Sequence, residues 1–83
     1  MDEIKEAIRD YILQAHLPGE SRANLRDDTP LRSSGILDSL ATLGLVGFVE
    51  NRYGIEFDVY ETAVERFDRI EDIAGSIVKK RPH

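Results

Sequence analysis

The feature that most limits how this chain can fold is the run SLATLGLVGFV, Ser39 to Val49. It holds no charged residue, in a chain of 83 residues of which 33% are charged. Asp38 precedes it as an N-cap candidate, and Gly54 follows Tyr53 as a C-terminal stop. The pattern predicts a helix over 39–53, roughly 22 Å long at about 1.5 Å per residue. A helix apolar almost all round is expected at the centre of a bundle rather than on its surface. Leu45, Phe48 and Val49 are expected on its buried side. Gly44 and Gly47 each cost a helix about 1 kcal/mol relative to Ala, so their presence needs a reason.

Helices are also expected on either side of this run. Ile4, Ile8, Tyr11, Ile12 and Ala15 fall at helical spacing, with Asp2 and Glu3 in the first turn, which predicts a helix over 2–16 ended by Pro18-Gly19. Residues 17–38 form a long connection, and a loop of that length in a small domain points to function or to an overlooked element. Leu25, Leu31, Ile36 and Leu37 are expected to peg it to the core. Ile55-Glu56-Phe57 reads as an extended linker, followed by a short helix around 59–66. Asp68 with Glu71 three residues on is a variant of the capping box. Ile70, Ile73, Ala74 and Ile77 then lay one apolar stripe on a last helix over 69–80. The expected fold is an all-α four-helix bundle forming a single domain over 1–83.

Composition narrows the function. Sixteen acids against 11 bases give a net charge of −5, and Arg22, Arg26 and Arg32 are dispersed through one loop, so nucleic acid is not an expected partner. Lys79-Lys80-Arg81 reads as favourable charge at a helix C-terminus and a solvated end. An acidic protein of this size is expected to meet basic patches on larger proteins. The absence of cysteine removes disulfides and thiolate metal sites and suits a reducing compartment. No apolar run has the length of a membrane span, and Met1-Asp2-Glu3 does not read as a signal peptide. A soluble, cytoplasmic monomer with no membrane insertion is the expectation.

Ser34-Gly35-Ile36-Leu37-Asp38-Ser39-Leu40 places a serine at the start of the central helix, directly after an aspartate. The first-turn N–H groups and the helix dipole favour a phosphodiester there. Periodicity alone leaves two readings open: Asp38 or Ser39 simply caps the helix, or the Ser39 hydroxyl is a point of attachment. Catalysis by Ser39 would need a general base, and only His16, closing the first helix, and His83 exist. No catalytic residue is therefore expected. Asp27-Asp28 lacks the spacing of a calcium loop and reads as a solvated turn, so no metal is expected either.

The run Asp28-Thr29-Pro30-Leu31, the segment Ser34 to Leu40, the helix end Glu50 to Phe57 and the closing Phe67-Asp68-Arg69-Ile70-Glu71-Asp72-Ile73-Ala74 together resemble the acyl carrier protein family. The resemblance covers essentially the whole chain, in order. It implies a four-helix carrier fold with a long loop between the first two helices and a short third helix. It also implies that a phosphopantetheinyl transferase attaches phosphopantetheine from coenzyme A to Ser39 in a magnesium-dependent reaction. The thiol of that arm then carries an acyl or aminoacyl group as a thioester. Asp38 and Leu40 match the flanking positions read by the transferase and later enzymes. A flexible tether of this kind presents cargo to successive active sites without releasing it.

The sequence departs from the fatty-acid branch of that family. Leu40, Gly44, Gly47 and Asn51 share one stripe of the central helix and include no carboxylate where those carriers have several. The stripe is the expected partner surface, unless neighbouring elements need the space the glycines leave. A dedicated carrier of a specialised pathway is expected, with an acyl- or aminoacyl-loading ligase and downstream synthase or transferase enzymes as partners. A general fatty-acid carrier and an unmodified adaptor bundle are the alternatives.

Overall fold

The structure is a computed structural model and describes residues 2–81. Three α-helices, α1 (Asp2–His16), α2 (Ser39–Tyr53) and α3 (Ile70–Lys80), are joined by long connections. Each connection contains a one-turn 3₁₀ helix, Arg22–Asn24 in the first and Val64–Arg66 in the second. Among the described residues there is no strand, and no helix is long and apolar enough to cross a membrane.

The helix ends follow local chemistry. After α1, the Glu20 N–H donates to the Leu17 carbonyl at 3.0 Å across a turn with Pro18 and then Gly19 at φ 87°. A β-turn with Pro second and a left-handed third residue strongly favours glycine at that place. α2 ends on Gly54 at φ 66°, whose N–H reaches the Glu50 carbonyl at 2.9 Å.

α1 packs against both α2 and α3. Ile4, Ile8 and Ile12 of α1, Leu45 and Val49 of α2, and Ile70, Ile73, Ala74 and Ile77 of α3 form the core. Leu25, Leu31 and Leu37 of the first connection, and Ile55 and Phe67 of the second, complete it. Three of the expected pegs are therefore buried, and Ile36 is half-buried against the same cluster. On α1, Ala15 is exposed and Tyr11 half-buried, while Leu13, outside the expected stripe, is buried.

Four expectations are corrected. The fourth helix at 59–66 is absent as an α-helix. Asp58 and Glu61 exchange side chain–backbone hydrogen bonds at 2.9 and 3.0 Å, as at a helix start, but the turn does not propagate. The Thr62 hydroxyl donates to the Val59 carbonyl, the Thr62 carbonyl accepts from the Arg32 guanidinium, and Ala63 is extended at ψ 153°. The extended Ala63 interrupts the helical backbone, and only the 3₁₀ turn at Val64–Arg66 follows. Secondly, α3 begins after Arg69, not at it, and without a side-chain cap, because the Asp68 carboxylate turns to residues 31–33 instead. Thirdly, α2 is not enclosed on all sides: Leu40 and Leu43 are 79% and 67% exposed. Fourthly, Phe48 is half-buried at the edge of the α1–α2 seam, stacked on Tyr11 with centroids 4.5 Å apart and with the Arg52 guanidinium 6.0 Å from its ring. The wholly buried phenylalanine is Phe67, edge-on to Phe57 at 5.6 Å.

This difference sets a stability order. Phe67→Ala should remove about 3–5 kcal/mol, the usual range for a buried phenylalanine. Phe48→Ala should remove about 1–2 kcal/mol, because it loses a stack and only part of a burial. Urea unfolding of the two variants beside wild type measures this, and equal losses would contradict the burial assigned to them.

Candidate functional site

Ser39 is the first residue of α2, and it is exposed. Asp38, in extended backbone at φ −82° and ψ −173°, caps the helix by accepting the Ala41 N–H at Oδ1, 2.8 Å away. The Thr42 hydroxyl and N–H both donate to the Asp38 carbonyl, at 2.8 and 2.9 Å. Capping by Asp38 thus occurs, and it leaves Ser39 for other use. Among the described residues nothing hydrogen-bonds the Ser39 hydroxyl, and the N–H groups of Ser39 and Leu40 have no partner. What stands at this corner is an exposed primary hydroxyl beside unpaired donors at the positive end of a helix.

The approach to Ser39 is held firmly. Leu37, two residues before it, is 2% exposed, and its N–H donates to the Leu31 carbonyl at 2.8 Å. Residues 31–33 are in turn held by Asp68. Its Oδ1 accepts the N–H groups of Leu31, Arg32 and Ser33 at 3.1, 2.7 and 3.0 Å, and its Oδ2 accepts the Ser33 hydroxyl at 2.7 Å. Burial pushes the Asp68 carboxyl up, but the Ser33 N–H and hydroxyl, with the N–H groups of Arg32 and Leu31, outweigh it and hold it below its ordinary value.

Further back, Arg9 of α1 is buried and donates through Nε to the Leu25 carbonyl at 2.8 Å, while its guanidinium pairs with Asp27. Lys5 donates to Asp27 at 3.1 Å. The Lys5 hydrogen bond, opposed by burial and reinforced by Arg9, holds the Asp27 carboxyl below its ordinary range. Asp27 is therefore half-buried and paired, a correction to the solvated turn expected of it. Among the described residues there is no group of three or more His, Cys, Asp or Glu arranged to hold a metal.

The four stripe residues Leu40, Gly44, Gly47 and Asn51 are all exposed, and Leu43, which spacing by fours and sevens from Leu40 omits, shares the surface. The two glycines differ. A Cβ on Gly44 would lie 2.9 Å from the Tyr11 hydroxyl, whose ring is stacked on Phe48 and edge-on to His16, whereas a Cβ on Gly47 would meet nothing within 4 Å. The need of a neighbouring helix accounts for Gly44 and leaves Gly47 without a packing reason. Glu50, the one acid of α2, accepts the Phe57 N–H at 2.8 Å and is half-buried. His16 lies in the last turn of α1 against Tyr11, with its Nε2 buried and unpartnered among the described residues; His83 lies outside them.

Compared with protein-family models and with curated proteins, the chain matches none.

The Asp68 geometry sets an acid dependence. A carboxyl held below its ordinary value of about 3.9 contributes stability that is present above that value and is lost as pH falls through its folded value. Asp68→Asn should be less stable than wild type at neutral pH, and the two should converge as pH drops below about 3.9. Urea midpoints at several pH values test this. A difference that stays constant down to acid would show that the charge of Asp68 does not contribute.

Proposed function

We propose that this chain is a carrier protein that holds an acyl or aminoacyl group through a phosphopantetheine arm on Ser39 and presents it to the enzymes of a specialised pathway. The observation that carries the reading is the exposed Ser39 hydroxyl at the N-terminus of α2, behind an Asp38 already engaged in capping, within Gly-Ile-Leu-Asp-Ser-Leu. The residues present suit the group. Leu37 is anchored, the hydroxyl is open, and the N–H groups of Ser39 and Leu40 are available to a phosphodiester.

In the attachment step, the Ser39 oxygen forms a bond to the phosphorus that bears the pantetheine of coenzyme A. The bond from that phosphorus to the nucleotide breaks, adenosine 3′,5′-bisphosphate leaves, and the hydroxyl proton passes to a base of the transferase. Once bound, the arm supplies a thiol that holds the cargo as a thioester. The chain's own part is to fix the attachment point and to offer a surface that partners read.

That surface is the face of α2 on which Leu40, Leu43, Gly44, Gly47 and Asn51 are exposed, with no carboxylate among them. Exposed apolar side chains grouped on one face mark interaction surfaces more often than chance. The lack of carboxylates favours a dedicated ligase over the general fatty-acid enzymes.

Intact-protein mass after incubation with a promiscuous phosphopantetheinyl transferase, coenzyme A and magnesium tests the attachment. Wild type should gain one arm, and Ser39→Ala, still folded, should gain none. A gain persisting in Ser39→Ala would move the site elsewhere, and an unmodified wild type would favour the adaptor reading. A second experiment addresses the partner face. Gly47→Glu should lower loading by the cognate ligase while leaving arm attachment and helicity by circular dichroism unchanged, and wild-type loading should depend only mildly on salt. Gly44→Glu does not give the same information, since it also displaces Tyr11. Equal loading of Gly47→Glu and wild type would place recognition off this face.

A further inference from the structure

Asp68 is the one buried acid among the described residues, and no cation pairs with it. A charge so placed requires hydrogen-bond donors. They are available in the first turn of α3, where the residue two before the first helical one could have capped it. The carboxylate faces away from them, and all its donors come from Leu31, Arg32 and Ser33, 35 to 37 positions earlier in the chain. The Asp68 carbonyl adds a further bond to the Leu31 N–H, at 2.7 Å.

From there the bonds lead to α2. The Leu31 carbonyl accepts the Leu37 N–H at 2.8 Å, the Leu37 side chain is buried, and Asp38 caps α2 through Ala41 and accepts from Thr42. Ser39 is the next residue. Each link between the buried carboxylate and the serine is a hydrogen bond or one to two covalently joined residues, so the segment has little freedom to shift.

We propose that Asp68 is a positioning residue for Ser39: by holding Leu31–Ser33 it sets the place at which Leu37 and Asp38 enter α2, and so presents the Ser39 hydroxyl to the modifying enzyme in one fixed arrangement. This role rests on the reading of Ser39 as the attachment site. Loosening the clamp leaves the hydroxyl in place chemically but divides the chain between competent and incompetent arrangements. An enzyme that binds only the competent fraction then shows an apparent affinity reduced by that fraction.

The test compares wild type, Asp68→Asn, Ser33→Ala and Ile77→Val. Ser33→Ala removes only the hydroxyl bond and guards against a poorly folded Asp68 variant. Ile77→Val weakens the α3 core without touching the clamp. Transfer from saturating coenzyme A is measured as a function of carrier concentration, at a temperature where every variant is folded. Asp68→Asn should raise KM for the carrier about tenfold with kcat within about twofold, Ser33→Ala should fall between it and wild type, and Ile77→Val should match wild type. Amide exchange at Leu37, Ala41 and Thr42 should quicken in Asp68→Asn by more than at Ile8 and Ile12, whereas Ile77→Val should change all of them together.

A KM unchanged in both clamp variants, with wild type modified at Ser39, overturns the role of Asp68 and leaves the attachment reading standing. A wild type that is not modified overturns that reading and the positioning role with it. Exchange that quickens uniformly in Asp68→Asn shows a general loss of stability and overturns the clamp on its own.

Discussion

A single carboxylate gathering four donors from a distant segment is the interaction on which the arrangement of this molecule turns. The connection between α1 and α2 has little regular structure, so most of its backbone groups cannot find partners in a ladder or a long helix. Polar backbone carried against a core needs partners all the same. Asp68 supplies an acceptor for the N–H groups at one end of the connection, and Arg9 supplies donors for the Leu25 carbonyl and Asp27 nearer the other. The two buried ions do not pair with each other: the loop satisfies Asp68, and Leu25 and Asp27 of the loop together with Glu6 of α1 satisfy Arg9. Leu25, Leu31 and Leu37 can then reach the core because the polar groups beside them are already paired.

This explains how so short a chain holds a serine in a defined place without enclosing it. α1 lies against both other helices and provides the apolar wall, the connection is pinned to that wall, and α2 starts where the pinning ends. The open face of α2 then follows from its phase. Thr42, Leu45 and Val49 turn inward, which leaves Leu40, Leu43 and Gly47 on the other side.

Much of this was legible in the sequence where local signals were strong. The bounds of α1 and α2 follow from Pro18-Gly19 and Gly54, acting through the backbone, and from Asp38, acting through its carboxylate, and the stripe of α3 follows from four regularly spaced apolar residues. The phase of α2 was read correctly in the main, with Leu45 and Val49 buried and Leu40, Gly44, Gly47 and Asn51 exposed, but the depth of Phe48 was not: it lies at the edge of the buried side, half-buried on Tyr11. Position 68 misled more instructively. Asp before a helix normally caps it, and only a partner 35 to 37 residues away diverts it. At the site, the serine and its cap were evident from local sequence. Leu43, the contact between Tyr11 and Gly44, and the clamp behind Leu37 all depend on how separate segments meet, which spacing along one helix cannot report. The segment 59–66 does not run as an α-helix because Ala63 is extended in its middle and only a 3₁₀ turn follows, a local backbone choice that residue types alone do not report.

The contact between Gly44 and the Tyr11 hydroxyl has a consequence for substitution. Two glycines on one exposed face look interchangeable, yet a Cβ at position 47 meets nothing within 4 Å and one at position 44 lies 2.9 Å from the Tyr11 hydroxyl. A residue with a Cβ at position 44 pushes that hydroxyl aside and disturbs the stack of Tyr11 on Phe48. A side chain at position 44 therefore carries a cost as long as Tyr11 keeps its place, and position 47 carries none of that kind. The same helix thus carries one glycine answerable to its own packing and one that is not.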